Sequence, residues 1–236
     1  MHQSVRPPTP EQIDTLYWVA SLGAVTAEAL ALRLDITLAS ARARLSLARR
    51  QGLIAKERPL VEAPALFTLT RAGLRACGAH GIDLCRVSAG GAQHLSVCAM
   101  VAAALERCYP DHRLIGEREL RRDESDLGCP LASAVLRSAR PGGGRSHRPD
   151  LVLLPSTVDG LPVAVEVELT IKAPLRLAEI CRAWARCPFV AGVLYLAPDR
   201  VERALKRAID RTRACEQIVV VPLEGLLPSE AARRCT

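Results

Sequence analysis

Apolar positions in the first eighty residues recur at helical spacing in three short runs, then give way to short extended runs. Ile13, Leu16, Tyr17, Val19 and Ala20 share one face of a first helix. Thr9 can cap it, Pro10 suits its first position, Gln12 completes a capping-box spacing and Gly23 ends it. A second helix starts at Thr26, with Ala27, Leu30, Ala31 and Leu34 inward. After the turn Asp35-Ile36-Thr37, a third helix is expected over 38–51, burying Ala41, Leu45 and Ala48. Gly52 stops it, and extended segments at 53–56 and 66–69 flank the stretch Arg58-Pro59-Leu60-Val61-Glu62-Ala63-Pro64. Thr70 caps a closing helix from Arg71 to about Cys77.

From Ser88 the pattern changes. An apolar helix (93–108) leads to an extended segment at 112–115. The stretch 122–147, which holds Pro141-Gly142-Gly143-Gly144, reads as a mobile loop. Strands follow at 151–154 and 163–170, joined by a turn around 156–160. Pro174 opens a helix to about Arg186, a strand covers 189–196, Pro198 opens another helix, and 218–221 is a last strand. The order predicts a mixed sheet with helices on its faces, an α/β chain (α+β overall). Two domains are expected, at 9–80 and 88–225.

Composition narrows the function classes. The chain has 236 residues and 49% hydrophobic residues, enough for two packed cores. It carries no apolar run of ~18 residues and no secretory pattern at its start, so a cytoplasmic location without membrane partners is expected. A net charge of +7 favours a polyanionic partner. The nine cysteines include no C-x-x-C pair, and the isolated pairs Cys77/His80 and His94/Cys98 lack a second half, so zinc is not expected. Gly142–Gly144 lacks the Lys-Ser/Thr of a phosphate-binding loop, so no nucleotide cofactor is expected either.

Gly23-Ala24-Val25-Thr26, Leu30, Leu45 and Gln51-Gly52-Leu53-Ile54 make the first domain resemble a winged helix-turn-helix, with Arg58–Pro64 as its wing. That resemblance implies that the third helix enters the major groove of double-stranded DNA. Charge agrees: between residues 37 and 58 lie Arg42, Arg44, Arg49, Arg50, Lys56 and Arg58 against Glu57 alone. These six, with Ser40 at the exposed helix start, are the candidate DNA-binding residues. The competing reading is a solvated helix face, or a winged helix used for protein contacts. Winged-helix proteins often dimerise, which makes a homodimer a further expectation.

The second domain carries an acidic constellation. Glu166 and Glu168 interrupt the apolar strand Ala164-Val165-Glu166-Val167-Glu168, and strand alternation turns both to one side. Such charges need pairing, a solvated cleft or a cation. Asp150 begins the preceding strand, and register decides whether it meets them. A tight turn at Asp159-Gly160 would put Asp150 on the wrong face. A longer loop such as 156–160, made credible by Pro155 and Pro162, sets Asp150 opposite Glu166.

The run Pro149-Asp150 … Glu166-Val167-Glu168 resembles the PD-(D/E)xK, or restriction-endonuclease-like, nucleases. The resemblance implies that Asp150 and Glu166 hold Mg²⁺ or Mn²⁺, with Glu168 as a third ligand at the position usually held by Lys. Lys172 would supply the missing positive charge, and Glu117 would match the extra acid the family adds from its first helix or strand. Hard oxygen ligands suit such an ion, which would serve DNA nicking or cleavage. The competing reading pairs Glu166 and Glu168 with Arg176 and Arg182 as a structural cluster, and leaves His147 as a loop histidine. Over most of the chain, the order winged helix, basic loop, His147-Arg148-Pro149-Asp150 and Ala164–Glu168 resembles replication-relaxation family proteins of bacterial plasmids and mobile elements. What this implies is either a metal-dependent endodeoxyribonuclease or a non-catalytic DNA-binding regulator or replication accessory factor. In the second case an inactive nuclease fold would serve dimerisation.

Overall fold

The computed structural model describes residues 7–136, 145–157 and 159–227. The chain divides into two compact units, Met1–Arg107 and Cys108–Thr236. The fold is mixed α/β.

In the first unit the order is α1 (Pro10–Leu22), β1 (Ala24–Val25), α2 (Ala27–Leu34), α3 (Leu38–Arg50), β2 (Ile54–Glu57), β3 (Leu66–Leu69), α4 (Arg71–Ala76) and α5 (Ala89–Cys108). The threonine at each helix start is an N-cap. Thr9, Thr26, Thr37 and Thr70 accept from the backbone N–H of Gln12, Ala29, Ser40 and Gly73. Gly23 at φ 89° and Asp35 at φ 52° end the first two helices in backbone that turns the chain sharply. α3 buries Ala41, Leu45 and Ala48, the stripe that its periodicity predicts. α1 departs from expectation: Ile13 is exposed while Trp18 is buried. β1, too short to leave a sequence pattern, pairs with β3, giving a three-stranded sheet in the order β1-β3-β2. Arg33 of α2 is the polar centre of this unit. Its Nε donates to Glu106 and its Nη1 to Asp14, each at 2.7 Å, and its guanidinium lies 5.0 Å from the Trp18 ring centre. The apolar helix expected to open the second domain, α5, falls within the first unit except for its last residue.

In the second unit the order is β4 (Arg113–Gly116), α6 (Glu117–Leu127), β5 (Ala134–Leu136), β6 (Arg145–His147), β7 (Leu151–Leu154), β8 (Val163–Val167), α7 (Pro174–Trp184), β9 (Gly192–Ala197), α8 (Asp199–Thr212), β10 (Ile218–Pro222) and α9 (Leu223–Leu226). The five-stranded sheet runs β10-β9-β8-β7-β4, parallel from β10 to β8 and antiparallel from β8 to β4. Ile115, Val152, Ala164, Val193 and Ile218 form one row across all five strands. This row packs with Leu177, Ile180 and Trp184 of α7 and Val201 and Leu205 of α8 in one buried core.

The mobile loop expected over 122–147 is corrected for the residues that are described. α6 extends to Leu127, and β5 pairs antiparallel with β6. α6 lacked an apolar signature because, besides Leu120, it buries two acids, Glu119 and Glu124. The Pro141–Gly144 run lies outside the described residues. Among the described residues, no helix is long and apolar enough to cross a membrane.

Candidate functional site

The β7–β8 register pairs Leu151 with Val165, Val152 with Ala164 and Leu153 with Val163. One step further brings Asp150 level with Glu166, the arrangement that a longer connecting loop allows. The β4–β7 ladder continues likewise, with the Glu117 N–H donating to the Asp150 carbonyl at 3.0 Å. Glu166 in turn stands beside Tyr195 on β9, and Tyr195 beside Val220 on β10. Two residues along each strand from the apolar row, the sheet therefore carries Glu117, Asp150, Glu166, Tyr195 and Val220. Strand alternation keeps this second row on the face that α7 and α8 cover.

Each acid of the row is tied differently. Asp150, half-buried, accepts the Val167 N–H on Oδ2 at 2.8 Å, so it spans from β7 to the end of β8. Glu166 is 4% exposed, and its Oε1 accepts from Trp184 Nε1 at 3.1 Å and lies 2.7 Å from His147 Nε2. Burial raises the Glu166 carboxyl above the ordinary range and the Asp150 charge adds to the rise; His147 and Lys172 oppose it. Burial, then the charge of Glu166, pushes the Cys181 thiol on α7 up to about 11. The same two causes hold Tyr195 well above the usual phenol range. Glu168 is also 4% exposed; its backbone N–H extends the ladder to Leu196, and its Oε2 pairs with Lys172 Nζ.

Lys172 thus reaches the acids despite its place beyond the strand end. Of the expected arginine partners, Arg176 pairs instead with Glu179 at 2.8 Å. His147, read from sequence as a loop histidine, is a direct partner of Glu166 and stacks edge-on against Trp184, ring centres 5.7 Å apart. Glu117 enters the row through its backbone, and its side chain pairs with Arg121 one turn along α6 at 2.5 Å.

No family model matches the chain. No curated protein matches it. Among solved structures, protein VC1899 from Vibrio cholerae is similar over 97% of this chain and 56% of that one, at 11% identity and a TM-score of 0.35. The chain thus spans just over half the length of that protein.

Sequence reasoning missed a second set of buried acids beside the row. Glu124 is 7% exposed. Its Oε1 accepts the Leu131 and Ala132 N–H groups at 3.1 and 3.4 Å, and its Oε2 accepts from Arg148 Nε at 3.0 Å. Glu119, 1% exposed, pairs with Arg113 and with Arg122. A polar helix of mixed charge hides such pairs, because nothing in its pattern says which of its acids turn inward and Arg148 lies twenty-four residues from Glu124.

In the first unit Ser40, Arg42, Arg44, Arg49, Arg50, Lys56 and Arg58 are all exposed, on α3, β2 and the turn after it. Ser40 is held at the helix start, with its Oγ 2.9 Å from Thr37 Oγ1. Among the described residues, the ion pairs of Arg42 and Arg44 are long, 3.5 Å to Glu28 and 3.9 Å to Glu11. Pairs of that kind are worth well under about 1 kcal/mol and leave the guanidiniums available to an anionic partner.

Proposed function

We propose that this chain is a DNA-handling protein of a bacterial plasmid or mobile element, related to the replication-relaxation family. In this reading the first unit is a winged helix-turn-helix that places the chain on double-stranded DNA. The second unit is a restriction-endonuclease-like domain that nicks or cleaves DNA with Mg²⁺ or Mn²⁺. One observation carries the reading: Asp150 and Glu166 stand level on neighbouring strands, close enough for the charge of one to act on the other, where the row beside them is wholly apolar. Carboxylates gathered at one level repel, and a divalent cation relieves that repulsion with the hard oxygen donors it prefers.

Asp150 and Glu166 would hold the ion, with Glu168 beside them. Such an ion supplies charge neutralisation at a phosphate and acidifies bound water. His147 and Trp184 orient Glu166 by binding its Oε1, and Lys172 brings the positive charge that Glu168 lacks. Exposed α3 arginines would contact the DNA backbone and base edges.

The same contacts favour a second reading. With Oε1 of Glu166 engaged by His147 and Trp184, and Glu168 held by Lys172, these two acids have side-chain partners without an ion. The chain would then be a regulator or replication accessory factor on a silent nuclease fold, with that fold as its dimerisation surface. Plasmid nicking with Mg²⁺ or Mn²⁺ separates the two, with wild type run beside Asp150→Ala and Glu166→Ala. The first reading expects nicking that both substitutions abolish while duplex binding persists. Duplex binding without any nicking by wild type establishes the second.

A further inference from the structure

The second unit has a cleft of about 410 Å³ that the acid row does not explain. Arg121, Ser125, Gly128 and Cys129 line it from α6 and the turn after it, and Ser146 and Arg148 line it from β6 and the segment that follows. Glu124 is also in its wall, but both of its oxygens are committed, one to backbone N–H groups and one to Arg148.

Two features make this a built cleft rather than a chance dip between charged side chains. Arg148 is fixed from behind by a buried carboxylate, and Arg121 is braced by Glu117 one turn away. The buried partner holds the Arg148 guanidinium firmly and the exposed one biases that of Arg121, and among the described residues each contact uses one of the five N–H groups that an arginine carries. Ser125 and Ser146 add two exposed hydroxyls. The lining thus offers planar, pre-positioned donors, which suit a phosphate oxyanion better than a carboxamide or an apolar group. With Glu124 in the wall, the charge that lines the cleft matches a singly charged phosphodiester better than a dense polyphosphate.

The cleft also abuts the acid row. Arg148 lies two residues before Asp150, and Arg121 is one turn, ~6 Å along the axis, from Glu117. We propose that this cleft seats a phosphodiester group of a nucleic-acid backbone, flanking the one presented to the acid row. That source of the phosphodiester rests on the reading of the chain as a DNA-handling protein; the oxyanion site itself does not.

Cys129 gives a local readout, because its exposed thiol lines the cleft while the exposed Cys108 and Cys215 serve as internal controls. The full chain is alkylated with iodoacetamide, with or without a thymidine dinucleotide bearing one phosphodiester, and each cysteine is followed by peptide mass spectrometry. At about three times its Kd the dinucleotide is expected to slow Cys129 labelling about fourfold, leaving Cys108 and Cys215 unchanged. Ser125→Glu, an exposed substitution that places a carboxylate in the cleft, should remove the protection. Arg42→Ala/Arg44→Ala on α3 should retain it.

Absence of protection in wild type, or protection that survives Ser125→Glu, overturns the proposal. Protection by inorganic phosphate but not by the dinucleotide also overturns it, in favour of a free-phosphate site. Protection by the dinucleotide in a chain that neither binds duplex nor nicks plasmid keeps the cleft and sinks the DNA reading.

Discussion

The charges of α3 and the buried acids of the second unit are held in opposite ways. On α3 the arginines stand in solvent, Arg42 and Arg44 with distant partners, so the fold spends little on them and little would change without them. In the second unit Glu166, Glu168, Glu119 and Glu124 are each buried, and each is held by specific side chains or backbone N–H groups. An exposed charge stays available to a partner and contributes almost nothing to stability. A buried one becomes part of the fold, whatever else it does.

The sharpest test of that contrast lies within the second unit. Arg148→Ala strips the partner from a buried carboxylate, and a loss of about 3 kcal/mol in urea unfolding is expected. Trp184→Phe removes one of the two groups that bind Glu166 Oε1 in a fully buried setting, and should cost about 2 kcal/mol by the same measurement. Arg121→Ala breaks a half-exposed i,i+4 pair and should cost no more than about 0.5 kcal/mol. A loss for Arg121→Ala as large as that for Arg148→Ala would collapse the distinction. On α3 the order reverses between stability and binding. Arg42→Ala/Arg44→Ala/Arg49→Ala should move the unfolding free energy by less than about 0.5 kcal/mol. In duplex titrations across salt concentrations it should flatten the log–log slope by roughly 2.7, or 0.9 per phosphate contact.

The two regions were also unequally legible in the sequence. β3 and β7 fall on their expected bounds, and the buried stripe of α3 is the one its periodicity requires, because apolar spacing is a local signal. The α3 charges could be counted directly from the chain. The register that brings Asp150 level with Glu166 could only be narrowed to alternatives, since loop geometry decides it. α6 escaped because its buried face is acidic, and its partners Arg113 and Arg148 lie on other elements. His147 escaped for the same reason: nothing near it in sequence announces Glu166, nineteen residues away.

The contact between Trp184 and Glu166 gives the second unit an intrinsic optical reporter. The chain has two tryptophans, one in each unit. Trp18 lies against the Arg33 guanidinium, and Trp184 touches both the Glu166 carboxylate and the His147 ring. With Trp18 replaced by Phe, and excitation at a wavelength that tyrosine does not absorb, the emission comes from a single indole whose N–H is bonded to Glu166. Any ion, ligand or substitution that rearranges Glu166 should then be visible as a change in colour and intensity, without a label and without an assay for activity.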